Sequence, residues 1–219
     1  MPGIGRGLCN AFMTMKIRRL HFLSGLTITL FIALHLFNHL CSVFGAEKHI
    51  AIMTGLRGVY RNFIVEGILM VAVLVQILSG FSLLAVRRKT SVTGWEKLRI
   101  WTGLYLALFL VVHLGAVFAG RLLLHIDTNF YFAVAGLNTF PMNIFFVPYY
   151  ALAIISFFGH IAALHGSRMK LVVFGLHPAE QSAIILAIGI CLTVVVFYGL
   201  TNQFRGVEIP AAYQILIGK

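Results

Sequence analysis

An all-α integral membrane protein, a bundle of five transmembrane helices, is what this sequence predicts, on three observations. Of the 219 residues 60% are apolar and the mean hydropathy is +0.95. Charged residues make up 11%, less than half the roughly 25% of a soluble domain. The apolar residues come in continuous runs and do not alternate with polar ones. A water-soluble fold of this size has no interior large enough for so much apolar surface, so lipid must take part of it. In lipid every backbone amide has to be bonded within the chain, and continuous runs meet that demand as helices, not as a barrel.

The elements follow in order between charged clusters. Helix I, over 20–44, comes after a basic N-terminus carrying Arg6, Lys16, Arg18 and Arg19. That arrangement resembles a signal peptide, but the run is too long and has no small-residue cleavage pattern, so it reads as a span. Helix II, 63–86, ends at Arg87-Arg88-Lys89, and helix III, 98–120, starts after Lys97. Helix IV is placed at 144–166 and helix V at 182–203, each near the ~20 residues that cross the apolar slab. Residues 121–141 are enough for an ordered loop. No linker, repeat or low-complexity stretch marks a second domain, so residues 1–219 read as one transmembrane domain.

The net charge of +11 raises nucleic acid as a partner, but the basic residues lie in short clusters between apolar segments, where membrane orientation puts them. Arg6, Lys16, Arg18, Arg19, Arg87, Arg88, Lys89, Lys97, Arg99, Arg168 and Lys170 fall on one side. Lys48, Arg57, Arg61, Arg121, Arg205 and Lys219 fall on the other. The excess places the N-terminus in the cytoplasm and, after five crossings, the C-terminus outside the cytoplasmic membrane. Cys9, Cys41 and Cys191 are scattered and odd in number, which suits neither a disulfide framework nor a zinc site.

Ionisable groups inside the hydrocarbon layer are expensive and therefore functional candidates. Four of the nine histidines fall well within apolar runs: His35 and His39 in helix I, His113 in helix III and His160 in helix IV. His21, His49, His125, His165 and His177 read as interfacial or loop residues, where solvent or headgroups satisfy them. Helices I and III both leave the cytoplasm. His35 and His113 follow Arg19 and Arg99 at distances that put both roughly 21–24 Å along their helices. Two imidazoles at one depth can grip a flat cofactor from both faces, and a haem iron with two axial histidines is the first candidate. A single intramembrane histidine can instead bond to a carbonyl or hydroxyl of the next helix, for about 0.6–2 kcal/mol. His39, one turn beyond His35 on nearly the same face, is either the ligand itself or a neighbour of a propionate or quinone. Gly25, Gly80, Gly103, Gly115 and Gly159 could admit a porphyrin edge, although glycine is common in membrane helices generally.

The run Arg18-Arg19-Leu20-His21-Phe22-Leu23-Ser24-Gly25, followed by His35-Leu36-Phe37-Asn38-His39, resembles the first helix of the cytochrome b membrane anchor of succinate dehydrogenases and fumarate reductases, in its single-chain, five-helix form. The specific motif is confined to helix I, while the helix plan matches throughout. The resemblance implies two haems b, each held by one histidine from two of the first four helices. His35 and His113 fit the outer pair, and His160 fits the ligand from helix IV. Helix II has no histidine, and Gln76 stands where its ligand is expected. A glutamine carbonyl is a poor ligand for haem iron, so a Gln76–His160 hydrogen bond is the expectation there, with one haem and at most a weakly held second.

On the same resemblance the chain has no site for succinate or fumarate. It anchors a flavoprotein and an iron–sulfur protein on its cytoplasmic side, where Arg87–Lys89 and Lys97–Arg99 meet acidic surface or act only as topology signals. Its own part is to carry electrons between the iron–sulfur partner and quinone. Glu66, near the outer end of helix II, is either the acid of a quinone site or an interfacial carboxylate paired with Arg57 or Arg61. Two other functions compete: a stand-alone membrane cytochrome b passing electrons from quinol to another acceptor, and a haem-free, histidine-bearing carrier. Pro141, Pro148 and Pro178 placed at helix beginnings, and five helices that do not halve, speak against the carrier.

Overall fold

The computed structural model describes residues 2–86 and 93–219. The cluster Arg87-Arg88-Lys89 and the side chains of Arg6 and Cys9 lie outside what it describes. The described chain is helical, without a β-strand: α1 (Pro2–Leu40), α2 (Ala46–Tyr60), α3 (Phe63–Ala85), α4 (Gly94–Leu122), α5 (Phe130–Val134), α6 (Asn143–Arg168) and α7 (Pro178–Leu200), with 3-10 segments at Cys41–Phe44 and Ala211–Ile217. Five helices are long and apolar enough to cross a membrane: Met13–Phe44, Phe63–Ala85, Gly94–Leu122, Asn143–Arg168 and Pro178–Leu200. Their surfaces carry exposed Leu30, Phe63, Val71, Trp101, Leu108 and Ile188, which only a lipid solvent accommodates in such density. The protein is therefore an all-α, multi-pass membrane protein.

Three boundaries differ from the sequence expectation. The first helix starts at Pro2, so its basic residues lie on the helix itself. The segment from 94 to 97, expected as loop, is the first turn of α4, because Thr93 caps it by accepting the Glu96 N–H at 3.3 Å. Helix α7 starts at Pro178 and not at 182, with His177 as its N-cap and proline at the first helical position.

The chain divides into two compact units, Met1–His35 with Leu56–Ser91, and Leu36–Gly55 with Val92–Lys219. In the first, α1 and α3 are tied by side-chain hydrogen bonds described below. In the second, α6 packs against both α4 and α7. Phe130, Val134, Leu137, Ile154, Val196, Phe197 and Leu200 form its buried core. The expected ordered loop is thus held by inserting α5 among the ends of α6 and α7. Asn138 locks it: its amide donates to the Val134 and Leu200 carbonyls, both at 3.0 Å, and accepts the Val207 N–H at 3.2 Å.

Candidate functional site

The polar side chains within the spans gather into small networks, best read one unit at a time. In the first unit His21 is not solvated, as the sequence suggested, but wired to α3. Ser79 Oγ lies 2.6 Å from the Val75 carbonyl and 2.9 Å from His21 Nδ1. The Gln76 amide N–H donates to His21 Nε2 at 3.3 Å, which leaves the ring proton on Nδ1, facing Ser79 Oγ. The Gln76 oxygen in turn accepts the Ser24 hydroxyl at 2.7 Å. Two glycines make the approach possible. A Cβ at Gly25 would stand 3.3 Å from the Gln76 amide, and one at Gly80 3.3 Å from His21 Cε1. Gln76, expected to bond His160, has its amide engaged by Ser24 and His21 on α1.

His160, in the second unit, sits in a similar seat. Thr102 Oγ1 donates to the Leu98 carbonyl at 2.6 Å. His160 Nδ1–H therefore donates to the Arg99 carbonyl at 3.1 Å and to Thr102 Oγ1 at 3.2 Å. A Cβ at Gly103 would lie 3.1 Å from the His160 ring, so glycine is needed beside it. Nδ1 held by a backbone carbonyl fixes ring and tautomer and turns Nε2 into the basic nitrogen, the usual outer-shell support of a metal-ligating histidine. Arg99 itself pairs with Glu96 at 4.0 Å.

His35 and His113 have a different support. Each follows a phenylalanine by four residues, one helical turn, and each imidazole lies flat against that ring. Phe31 and His35 are stacked with centroids 5.7 Å apart and planes 19° apart. Phe109 and His113 are stacked at 5.0 Å and 13°. Tyr150 closes edge-on to His113 at 6.4 Å, and Phe109 is backed by Tyr149 at 4.9 Å. The Tyr105 hydroxyl donates to the Tyr149 carbonyl at 2.8 Å. The spacing Phe-x-x-x-His occurs in both runs and is the signal in the sequence for this support.

His49 is a second correction. It is 1% exposed on α2, and its Nε2 lies 3.1 Å from the Asn38 amide nitrogen and 3.4 Å from His39 Nδ1. His39 is thereby a member of this cluster. Phe130 covers the His49 ring edge-on at 5.3 Å. Glu66 lies in the first turn of α3, where Asn62 caps the helix by accepting the Ile64 N–H at 3.0 Å, and a carboxylate there is favoured by the helix dipole. His165 bonds to Gln181 at 2.8 Å. Gly115 has nothing within 4 Å of a built Cβ, so of the five glycines singled out it is the one without a close neighbour.

Among the described residues no three His, Cys, Asp or Glu side chains converge on one point. No protein-family model, curated protein or solved structure matches the chain.

Proposed function

We propose that the chain is a haem b-binding membrane anchor that passes electrons between an iron–sulfur partner and quinone, in a succinate:quinone or quinol:fumarate oxidoreductase of the cytoplasmic membrane. The observation that carries the reading is the pair of mid-span histidines, His35 and His113, each laid flat on the phenylalanine one turn before it. A stacked imidazole keeps its ring plane fixed while both nitrogens stay at the ring edge, which is what an axial ligand needs. The donor set fits haem, whose iron takes imidazole from opposite sides and needs no third side chain from the protein. Bound haem supplies one-electron transfer; the chain's part is to hold its ligands, exclude water with apolar helices, and set the nearby charge.

One haem is the stoichiometry this reading favours. His160 has the tautomer of a ligand, but Gln76 is committed to Ser24 and His21 and offers no imidazole. The N-terminus faces the cytoplasm on the charge bias, so Lys97 and Arg99 lie on the side where the flavoprotein and iron–sulfur subunits dock. Glu66 and His39 serve quinone or propionate chemistry in this reading.

The test is the visible spectrum of the purified chain, oxidised and reduced, with a pyridine haemochrome count. One b-type haem per chain, lost in both His35→Ala and His113→Ala while His125→Ala keeps it, supports the proposal. Full haem content in either of the first two variants, or no haem after haem-supplemented expression, refutes it.

A further inference from the structure

We infer that the hairpin between α6 and α7, residues 169–177, is a lipid-anchoring element whose tip, Phe174, seats in the headgroup boundary of the bilayer among anionic lipids. On the charge bias this is the cytoplasmic leaflet. The hairpin is a built structure. Val173 and Leu176 form an antiparallel bridge, in which the Val173 N–H donates to the Leu176 carbonyl at 3.2 Å and the Leu176 N–H to the Val173 carbonyl at 3.0 Å.

Both residues at the tip are left-handed, Phe174 with φ of 52° and Gly175 with φ of 78°. Asn-Gly is the pair that a two-residue hairpin turn of this kind favours, because asparagine tolerates a positive φ whereas a bulky side chain there is an outlier. The sequence gives up that preference for an aromatic ring, and Phe174 is 99% exposed. Leu171 and Val172 beside it are exposed as well. Three large apolar side chains left open within nine residues mark a surface that meets something other than water.

The hydrogen bonds of Gln181 decide what that is. Its amide N–H groups donate to the Leu171 carbonyl at 3.0 Å and the Leu176 carbonyl at 2.8 Å, and its oxygen accepts His165 Nε2–H at 2.8 Å. Both legs of the hairpin are thereby tied to the first turn of α7 and the last turn of α6. Helix α7 has 23 residues, about 34 Å of helix against an apolar slab of about 30 Å, so its first turn stands at the edge of the slab. A hairpin held at that level lies along the membrane surface, where aromatic side chains collect. Arg168 and Lys170 lead into it, both exposed, and no acidic residue lies between 168 and 177. The next acid along the chain, Glu180, is engaged by the His177 N–H at 2.6 Å. Basic residues beside open apolar ones are the composition of segments that lie in the interface and prefer anionic lipid.

The experiment uses the full chain in lipid nanodiscs of mixed phosphatidylglycerol and phosphatidylcholine, with bromine on the acyl chains as a quencher. A reporter is added as Phe174→Trp, and the emission of the parent, from Trp95 and Trp101, is subtracted. The added emission should be blue-shifted, lose most of its intensity to brominated lipid, and resist aqueous acrylamide. Bromine confined to phosphatidylglycerol should quench it more than bromine confined to phosphatidylcholine, and Arg168→Gln with Lys170→Gln should remove most of that difference. Where Phe174→Trp does not fold, Val172→Trp reports on the same segment. Emission quenched by acrylamide and not by bromine means a tip standing in water, open to a soluble partner, and overturns the proposal. Emission that neither quencher reaches means a tip covered by protein, and overturns it too. A lipid preference left intact in the Arg168, Lys170 double variant overturns the part given to anionic lipid.

Discussion

Replacing Phe109 with leucine removes the ring beneath His113 and keeps most of the apolar volume. The stacked pair, 5.0 Å between centroids and 13° between planes, is of the kind that contributes about 0.5–1.5 kcal/mol beyond its buried area. If that energy goes into holding the imidazole ready for its iron, its loss weakens haem binding about 2- to 13-fold, taking RT as about 0.59 kcal/mol. Phe31→Leu acts on a looser pair, 5.7 Å and 19°, and should weaken it less. Transfer of haem from each variant to excess apomyoglobin gives the dissociation rates directly. Because Phe109 also backs Tyr149 at 4.9 Å, thermal unfolding is followed in parallel, so that a general loosening is told from a local one. Parental haem release in Phe109→Leu, in a protein that loses haem when His113 is removed, would refute the idea that stacking orients the ligand. The same holds if Phe31→Leu is the more damaging of the two.

Three further outcomes are expected. Asn138→Ala breaks three hydrogen bonds that join α5, α7 and the C-terminal segment, at about 0.5–1.5 kcal/mol each, or roughly 1.5–4.5 kcal/mol together. Limited proteolysis should then cut after Thr201 much faster, and an unchanged pattern would contradict the clamp. Gly199→Ala places a Cβ against the Ser42 hydroxyl and within 2.8 Å of the backbone of residues 42 and 43, which cannot swing aside. Overpacking of this kind costs about 1–3 kcal/mol, and a variant that melts with the parent would show that the 3-10 segment moves freely. Ser79→Ala should destabilise more than Thr102→Val, because His21 Nδ1–H loses the acceptor at Ser79 whereas His160 keeps the Arg99 carbonyl. Paired unfolding curves in detergent decide it, and the opposite order would mean that the tautomers assigned here are wrong.

The five spans were legible because the bilayer asks a single question of the chain, about 20 apolar residues in a row, and Phe63–Ala85 or Pro178–Leu200 answer it without help from tertiary structure. The helix α2 was not, since Glu47, Lys48 and Arg57 break its hydropathy and its burial depends on what covers it. His49 went with it: beside Lys48 it reads as a surface residue, and Asn38, His39 and the distant Phe130 together take it out of solvent. The start of α4 was written in the sequence as Thr93-x-x-Glu96, yet the basic cluster around it drew the boundary too late. Among the candidate ligands, the matched depth of His35 and His113 is legible from the charged residues before them, and His160 from its place within an apolar run. Their immediate supports, two phenylalanines and a threonine–glycine pair, follow from i, i+4 geometry in the first case and from the facing helix in the second.

The hydroxyl–glycine pairs carry that difference one step further. Ser79-Gly80 holds His21 and Thr102-Gly103 holds His160 by the same device. In both, the hydroxyl proton is already given to a carbonyl one turn back, so the oxygen is left as an acceptor and the glycine leaves room for the ring. In both seats the ring proton sits on Nδ1, required at His21 by the Gln76 amide on Nε2 and at His160 by the Arg99 carbonyl. What differs is the group presented to the imidazole next. Gln76 donates to His21 Nε2 and ties that nitrogen into a closed chain ending at Ser24. The Arg99 carbonyl instead takes a share of the Nδ1 proton of His160, which strengthens the basicity of the opposite nitrogen. Two seats of one design thus differ in the next partner they offer the ring, the Gln76 amide for His21 and a backbone carbonyl for His160.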